Sequence, residues 1–272
     1  RAVSPAALGR AISMVKRMEE STFFIVPLRF PEASAAVKLG MTEEAMADAV
    51  MKPAIPAEAT VLPIILAVSF SHMLNDIMQS MIAAIYPMLK TDYNLDFWQI
   101  GFLTLAFQCT ASLLQPVVGI VTDKKPFPYS LPVGMASTFL GLVLLASAHE
   151  YYMLVMAASL VGIGSAIFHP ESSRVARLAS GGRYGFAQSV FQVGGNLGTA
   201  IGPLLAAFII VPRGQGSVAW FCIAAIVGII VLSRVAAWYK AHMAANAGKK
   251  RVVHTHNLPR NTVVVALVVL VM

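Results

Sequence analysis

Six long apolar segments, separated by short polar breaks, constrain this chain more than any other feature of its sequence. The segments cover residues 61–89, 98–121, 130–148, 151–173, 185–211 and 218–239, and a further apolar run begins at residue 262. About 20 apolar residues form a helix that spans the hydrocarbon core of a bilayer. Strands that cross a membrane are about 10 residues long and alternate polar with apolar residues, and these segments lack that alternation. We therefore predict an all-α fold, a polytopic membrane helix bundle.

The composition agrees with a chain that lies mostly in lipid. Hydrophobic residues make up 57% of the sequence and charged residues 12%, whereas a soluble domain carries about 25% charged residues. The net charge is +7, but the basic residues lie at the ends of apolar segments and form no patch interleaved with aromatic residues. We predict the lipid bilayer as a partner and no nucleic acid. Cys109 and Cys222 lie inside apolar segments, so we predict neither a disulfide nor a metal site.

The distribution of lysine and arginine over the breaks predicts the orientation. One set of alternate loops holds eleven basic residues, namely Lys124, Lys125, Arg174, Arg177, Arg183, Arg234, Lys240, Lys249, Lys250, Arg251 and Arg260. The opposite set holds Lys90 and Arg213. Because cytoplasmic loops are enriched in basic residues, we expect the N-terminus and the first set of loops to be cytoplasmic.

The chain divides into four parts on this basis. Residues 1–59 have mixed character and form an N-terminal extension that we expect to be partly disordered, and residues 60–239 form the bundle of six transmembrane helices. Residues 240–261 form a basic cytoplasmic loop, and residues 262–272 are the truncated start of a seventh transmembrane helix. Such a loop separates the halves of a twelve-helix transporter, so we expect the chain to be a fragment with a missing C-terminal half.

The first apolar segment carries a polar stripe in its middle. Ser69, His72, Asn75, Asp76 and Gln79 share one face of a helix. An ionisable group at that depth is unfavourable in lipid and faces a cavity or a partner. Burial brings the titration of a carboxyl group closer to neutral pH, and a histidine titrates there already. We predict Asp76 and His72 as proton-coupling residues, with a purely structural interhelical hydrogen bond as the alternative.

The fifth segment carries polar and small residues on different faces. Gln188, Gln192, Asn196 and Thr199 form a polar stripe, while Gly194, Gly198 and Gly202 form a small face that permits close helix packing. The amides are predicted to line a polar pathway for a small-molecule substrate. The predicted pathway residues are Asn75, Gln79, Gln108, Gln192 and Asn196.

Three short motifs resemble those of the major facilitator superfamily. Gly119 to Lys124 resembles the start of its loop signature, although Lys125 to Pro128 replace the usual continuation. Gly162-Ile-Gly164 resembles the end of its fourth-helix motif, with Ala158 where an arginine is usual. Gly198-x-x-x-Gly202-Pro203 resembles the antiporter motif of drug–proton exchangers, in which Ala206, Ala207 and Ser189 replace glycines. The resemblance implies the N-terminal six-helix half of a twelve-helix fold, with Gly198, Gly202 and Pro203 as a packing motif.

Residues 60–272 further resemble a family of antibiotic-efflux transporters from Gram-negative bacteria. FHPESSRVARLASGG, from Phe168 to Gly182, is the most distinctive stretch. This resemblance implies an inner-membrane pump that expels a phosphonate antibiotic in exchange for protons, and needs no cofactor. An importer of an organic anion or phosphorylated metabolite, or an inactive fragment of either transporter, stays open as an alternative.

Charged residues after the second and fourth segments form a predicted gate. Glu171 lies about 30 Å along a helix counted from Tyr151, which places it at the cytoplasmic edge. Pro170 is expected to bend this helix and to leave the carbonyl of Ala166 free for His169 or water. Related transporters latch the cytoplasmic gate with charges at such places. We therefore expect Glu171 and Arg174 to close against Asp123 and Lys124.

A membrane enzyme is the interpretation from another class. His72 with Asp76, and His169 with Glu171, are residue pairs that could act as acid–base pairs or metal ligands. The helix count places the two pairs at different depths, and the sequence contains no metal-binding spacing such as HExxH. We therefore predict no enzymatic activity and no metal.

Overall fold

The computed structural model describes residues 59–246, which form seven helical elements and no strand. In chain order these are α1 (Leu62–Ala84), α2 (Tyr86–Asp92), α3 (Phe97–Lys124), α4 (Ser130–Ala146), α5 (Tyr151–Ala179), α6 (Tyr184–Arg213) and α7 (Gln215–Asn246). The six long helices correspond to the six apolar segments, so the predicted all-α bundle is confirmed. The extension before residue 59, the loop after residue 246 and the predicted seventh helix lie outside the described residues.

Two of the six long helices are less typical of membrane spans than the sequence suggested. Four helices, α3, α5, α6 and α7, are long and apolar enough to cross a membrane. Helix α4 has only 17 residues. Helix α1 has 23 residues, but the stripe that includes His72 and Asp76 lowers its hydropathy. A polar face is tolerated in such a helix when it faces protein or a water-filled cavity.

Local sequence signals explain where these helices begin and end. Asp96 precedes α3 and forms a capping box with Gln99, whose side-chain oxygen accepts a hydrogen bond from the Asp96 backbone N–H at 2.8 Å. Gly181 and Gly182 follow α5 with φ of 58° and 88°, a conformation that glycine adopts without strain. Gly214 separates α6 from α7 with φ of 79°.

Proline residues coincide with wide turns inside two of the helices. A π-helical segment, Cys109–Leu113, lies within α3 before Pro116, and a second, Ala206–Ile210, lies within α6 before Pro212. A proline removes one backbone donor and crowds the preceding turn. A π-turn accommodates this disturbance, and such turns are frequent at functional sites.

Helix α1 lies at the centre of the described bundle, where α5, α6 and α7 all pack against it. Its apolar face joins a core that includes Met78, Leu154, Phe168 and Leu232. The backbone N–H of Val61 donates to the carbonyl of Ala179 at 2.8 Å, which ties the start of α1 to the end of α5. This link fixes the depth at which side chains of the two helices meet.

The outer surface of the bundle is strongly apolar. Phe97, Phe208, Trp98 and Trp220 are each at least 66% exposed. Exposed apolar area of this extent is found on surfaces that contact lipid or another part of a protein. The exposed aromatic residues therefore agree with a membrane protein.

Candidate functional site

The polar stripe of α1 meets α5 at a cluster of three ionisable side chains. The carboxylate of Asp76 lies between two imidazole rings. Its Oδ2 is 3.4 Å from Nε2 of His72, and its Oδ1 is 3.6 Å from Nε2 of His169. We call His72, Asp76 and His169 the triad. It lies inside the bundle, since the exposed fractions of the three side chains are 3%, 16% and 28%.

Helix α6 holds the ring of His72 in place. Nδ1 of His72 is 2.9 Å from the backbone carbonyl oxygen of Phe191, and the two rings stack with centroids 4.1 Å apart. Gly195, one turn later, gives the imidazole its space, because a Cβ there would lie 2.8 Å from Nδ1 of His72. The ring is therefore fixed by both a hydrogen bond and close packing.

Helix α5 holds His169 in a similar way. Its Nδ1 lies 3.0 Å from the carbonyl oxygen of Ser165 and 3.2 Å from Oγ of the same residue. The hydroxyl of Ser165 donates to Oε1 of Gln79 at 2.9 Å, which links α5 back to α1. The sequence offered the carbonyl of Ala166 to His169 or to water, and His169 contacts the carbonyl of Ser165 rather than that of Ala166. The imidazole reaches the carbonyl four residues before it in the helix, one position earlier than Ala166.

The position of His169 corrects the depth inferred from the sequence. The count from Tyr151 placed Glu171 at the edge of the bilayer, whereas Asp76 was placed near the middle of the first segment. The helix runs on to Ala179, so His169 lies about 15 Å before its end. Asp76 lies about 21 Å from the start of α1, to which the end of α5 is tied. The two predicted pairs therefore do not lie at separate depths.

Sequence reasoning missed His169 as a member of this site. The available signal was its spacing from Ser165, because the two residues are one turn apart and share a helix face. Two polar residues on one face of a long apolar helix indicate contact with another polar face. The stripe of α1 is that face.

Two of the five predicted pathway amides surround Asp76. Nδ2 of Asn75 and Nε2 of Gln79 lie 3.1 Å and 3.4 Å from Asp76 Oδ1, while Thr199 Oγ1 of α6 lies 3.5 Å from Oδ2. Oδ1 of Asn75 is buried and has no hydrogen-bond partner in the described structure. Gln108, Gln192 and Asn196 are exposed and make no hydrogen bond to the triad.

The glycines of α6 lie directly against the backbone of α1. A Cβ on Gly198 would lie 3.0 Å from Cβ of Asp76 and 3.1 Å from the backbone nitrogen of Ile77. A Cβ on Gly202 would lie 2.7 Å from the carbonyl oxygen of Ile77. Pro203 follows within the helix. The close approach brings Thr199 of α6 beside the triad.

A second ionic cluster lies nearer the end of α5. Glu171 has no exposed surface. It accepts hydrogen bonds from Arg174 Nη1 at 2.6 Å and from the hydroxyl of Ser130 at 3.2 Å. The other guanidinium nitrogen of Arg174 pairs with Asp123, while Lys124 is exposed. Three of the four predicted gate residues are therefore in contact.

The triad also consists of residue types that bind metal ions, and the candidate ligand atoms lie within 4.8 Å of one another. A tetrahedral zinc site holds ligands about 2.1 Å from the metal, and hence about 3.4 Å from each other. Two of the separations, 3.4 Å from His72 to Asp76 and 3.6 Å from His169 to Asp76, are already close to that spacing, although they involve different carboxylate oxygens. In the arrangement described, each Nε2 faces a different carboxylate oxygen of Asp76 at an ion-pair distance.

The bundle and its internal carboxylate define a class of membrane transporter. The chain belongs to the Major Facilitator Superfamily, whose family model matches residues 68–271. A solved relative with the same fold is a bacterial homologue of the human lysosomal transporter Spinster, in an inward-facing and unoccupied conformation. Its TM-score with this chain is 0.54 at 17% identity, and the alignment covers 67% of this chain and 43% of the relative.

Curated relatives confirm the more specific resemblance seen in the sequence. The chain is 57% identical over 204 residues to the fosmidomycin resistance protein of Escherichia coli (strain K12). The alignment covers 75% of this chain and 50% of the relative. The chain is 41% identical over 213 residues to the uncharacterized MFS-type transporter YfnC of Bacillus subtilis (strain 168), covering 77% and 52%. The chain thus spans about half the length of both relatives.

Proposed function

We propose that the chain forms the N-terminal half of a proton-coupled exporter of fosmidomycin or a similar small antibiotic. The observation that carries this proposal is the carboxylate of Asp76, held inside an apolar bundle between two imidazoles. A carboxylate in low-dielectric surroundings is stabilised by a proton or by a nearby cation. Proton uptake from one side of the membrane and release to the other would couple the proton gradient to transport.

The amides around Asp76 suggest where the substrate binds. Asn75 and Gln79 are already engaged with the carboxylate. Gln192 and Asn196 are exposed on α6, so they are free to donate to an oxyanion such as a phosphonate. Gln108 of α3 is exposed as well. We propose that these amides line the pathway and that the substrate and the protons bind in competition.

The ionic cluster near the end of α5 supports transport by alternating access. Arg174 joins α5 to Asp123 at the end of α3, and Glu171 holds the guanidinium from the buried side. We propose that this cluster is a latch that closes the cytoplasmic gate in one state of the cycle. All three residues belong to one half, so the latch would hold the ends of α3 and α5 together while the two six-helix halves rock against each other.

The direction of transport distinguishes export from the alternative importer. The name of the Escherichia coli relative favours export of an antibiotic. Inverted vesicles that contain the complete transporter should accumulate fosmidomycin when a proton gradient is imposed. Accumulation in right-side-out vesicles alone would instead support an importer of an organic anion. We assign no enzymatic activity to the chain.

The location proposed is the bacterial inner membrane, with the N-terminus in the cytoplasm. The basic residues of alternate loops support this orientation. A thiol reagent that cannot cross membranes should label a cysteine placed at exposed His149 in intact cells, in a variant without the native cysteines. A cysteine at Lys125 should escape labelling, and the reverse pattern would contradict the orientation.

Asp76→Asn in the complete transporter tests the proton-coupling role. The amide cannot carry the proton, so we expect proton flux coupled to fosmidomycin export to be lost, with a fall in transport of at least about 100-fold. Both fluxes are measured in the same vesicles. Asp92→Asn, which changes an exposed carboxylate, is the matched control and should leave both fluxes intact. Unchanged coupling in Asp76→Asn would remove this residue from the mechanism.

A further inference from the structure

The hydrogen bonds of the two histidines determine which ring nitrogen carries the first proton. A backbone carbonyl oxygen accepts hydrogen bonds and cannot donate one. Nδ1 of His72 faces the carbonyl of Phe191 at 2.9 Å, and Nδ1 of His169 faces that of Ser165 at 3.0 Å. Both Nδ1 atoms therefore carry hydrogen. In the neutral rings, both Nε2 atoms have a lone pair that points at Asp76.

The carboxylate is held in the matching orientation. Its Oδ1 faces His169 and its Oδ2 faces His72, so each imidazole has an oxygen of its own. With both rings neutral and Asp76 ionised, the lone pair of each Nε2 faces a lone pair of a carboxylate oxygen, which is unfavourable. One added proton turns one contact into a hydrogen bond, and a second proton does the same for the other.

We infer that His169 is a second proton carrier of this transporter, and that the triad exchanges two protons, one at each contact between Nε2 and the carboxylate. This inference deepens the proposed function and rests on it for its role in transport. The net charge of the triad is −1 without the added protons and +1 with both. No bond other than those to the two protons is made or broken.

Other ionisable groups near the triad do not supply these charges. On α5, Glu171 and Arg174 pair with each other and with Asp123. On α6 the titratable groups are Tyr184 and Arg213, which lie at its ends, and on α2 they are Tyr86, Lys90 and Asp92 beyond the far end of α1. On α7 the titratable groups are Cys222, Arg234, Tyr239, Lys240 and His242. Within residues 59–246, the ion pairs of Asp76 are those with His72 and His169.

The two histidines differ in their access to the surroundings. The side chain of His72 is 3% exposed and that of His169 is 28% exposed. The proton between His169 and Oδ1 can therefore leave directly, while the proton on His72 leaves through the carboxylate. Since Asp76 touches both rings, it can relay a proton between them.

Selective ¹⁵N labelling of histidine in the complete transporter tests the tautomers without any substrate. We expect the NMR signals of His72 and His169, assigned with His72→Gln and His169→Gln, to show protonated Nδ1 at high pH. On acidification, Nε2 of both rings should gain a proton, and Asp76→Asn should shift both titrations. The inference would be overturned if Nδ1 of His169 carried no proton at high pH. It would also be overturned if Asp76→Asn left the titrations of both rings unchanged.

Proton release on substrate binding tests the number of protons. The purified complete transporter is mixed with excess fosmidomycin in weak buffer with a pH indicator, at the pH of greatest release. We expect about two protons for each bound molecule, falling to about one in His169→Gln. His149→Gln, at an exposed loop position, should match the wild type.

The outcomes separate this inference from the proposed function. Absence of fosmidomycin export by the wild type would contradict the proposed function, while the NMR titration would still decide whether the triad takes up two protons. Normal export with proton release unchanged in His169→Gln would overturn the inference alone.

Discussion

Asp76 is the residue around which the described site is organised, but its neighbours are decided by other helices. His72 precedes it by one helical turn, whereas His169 comes from α5. Each imidazole is anchored through Nδ1 to a backbone carbonyl, so the orientation of both rings follows from local hydrogen bonds. A carboxylate between two such rings is suited to hold protons inside an apolar bundle.

The substitution Glu171→Gln tests whether a single residue stabilises the proposed latch. The amide is neutral, so Arg174 loses its 2.6 Å charge-assisted hydrogen bond to Glu171 and keeps its pair with Asp123. We expect Glu171 to hold Arg174 towards Asp123 only in the closed state, so the loss of this bond, worth about 1.5–3 kcal/mol, should lower the population of the closed gate by at least about tenfold. Spin-label distances between the cytoplasmic ends of the two halves of the complete transporter measure this shift.

Glu150→Gln provides the matched control for that measurement. Glu150 precedes α5 at its other end and is exposed, so the same chemical change there should leave the distance distribution unaltered. If Glu171→Gln also gave the wild-type distribution, Glu171 would not be part of a latch.

At the scale of elements, the contact between α1 and α6 brings the site together. The glycine face of α6 allows the two backbones to approach, and Gly195 makes room for the ring of His72. Small residues are the usual means of close packing between membrane helices. The same helix therefore supplies the packing surface for α1 and the backbone carbonyl that orients His72.

The substitution Gly198→Ala tests the close contact between α1 and α6. The added methyl group would meet the backbone of α1 beside Asp76 and Ile77, and overpacking of this kind lowers stability by about 1–3 kcal/mol. We expect a lower apparent melting temperature of the complete transporter in detergent. Gly185→Ala is the control, because a Cβ there meets nothing within 4 Å. Equal melting temperatures for both variants would show that the contact does not limit stability.

At the scale of the whole molecule, the described bundle is one half of a transporter fold. Its relatives are about twice as long as the matched region, and large aromatic residues such as Phe208 and Trp98 are exposed on its surface. A transport pathway in this fold lies between two halves. The activity proposed above therefore requires a second half.

We predict that residues 1–272 expressed alone give no resistance to fosmidomycin. One half cannot enclose a substrate between two gates, so it should not move a substrate against a gradient. The measurement is the inhibitory concentration of fosmidomycin in a strain that lacks its own exporter, with the complete transporter as the positive control. Resistance conferred by the fragment, once its presence in the membrane is verified, would contradict this expectation.

Much of the architecture was predictable because it depends on local properties of the chain. Apolar segments of about 20 residues predicted six helices, and the breaks between segments contain Gly181, Gly182 and Gly214, where the structure separates its helices. The spacing of His72, Asn75 and Asp76 predicted a shared face, and these residues do lie together on α1. Periodicity is visible in a single helix, so these features needed no knowledge of the other helices.

The sequence by itself determined the all-α membrane bundle and the acidic residue in its first helix. Only the tertiary structure decided that His169 reaches Asp76 and that Arg174 joins Glu171 to Asp123. The reason is that these contacts depend on the length and relative depth of two helices. A count along α5 from one end cannot supply that depth, because the helix is longer than its apolar segment. The depth is set by the contact between Val61 and Ala179, which the sequence does not show.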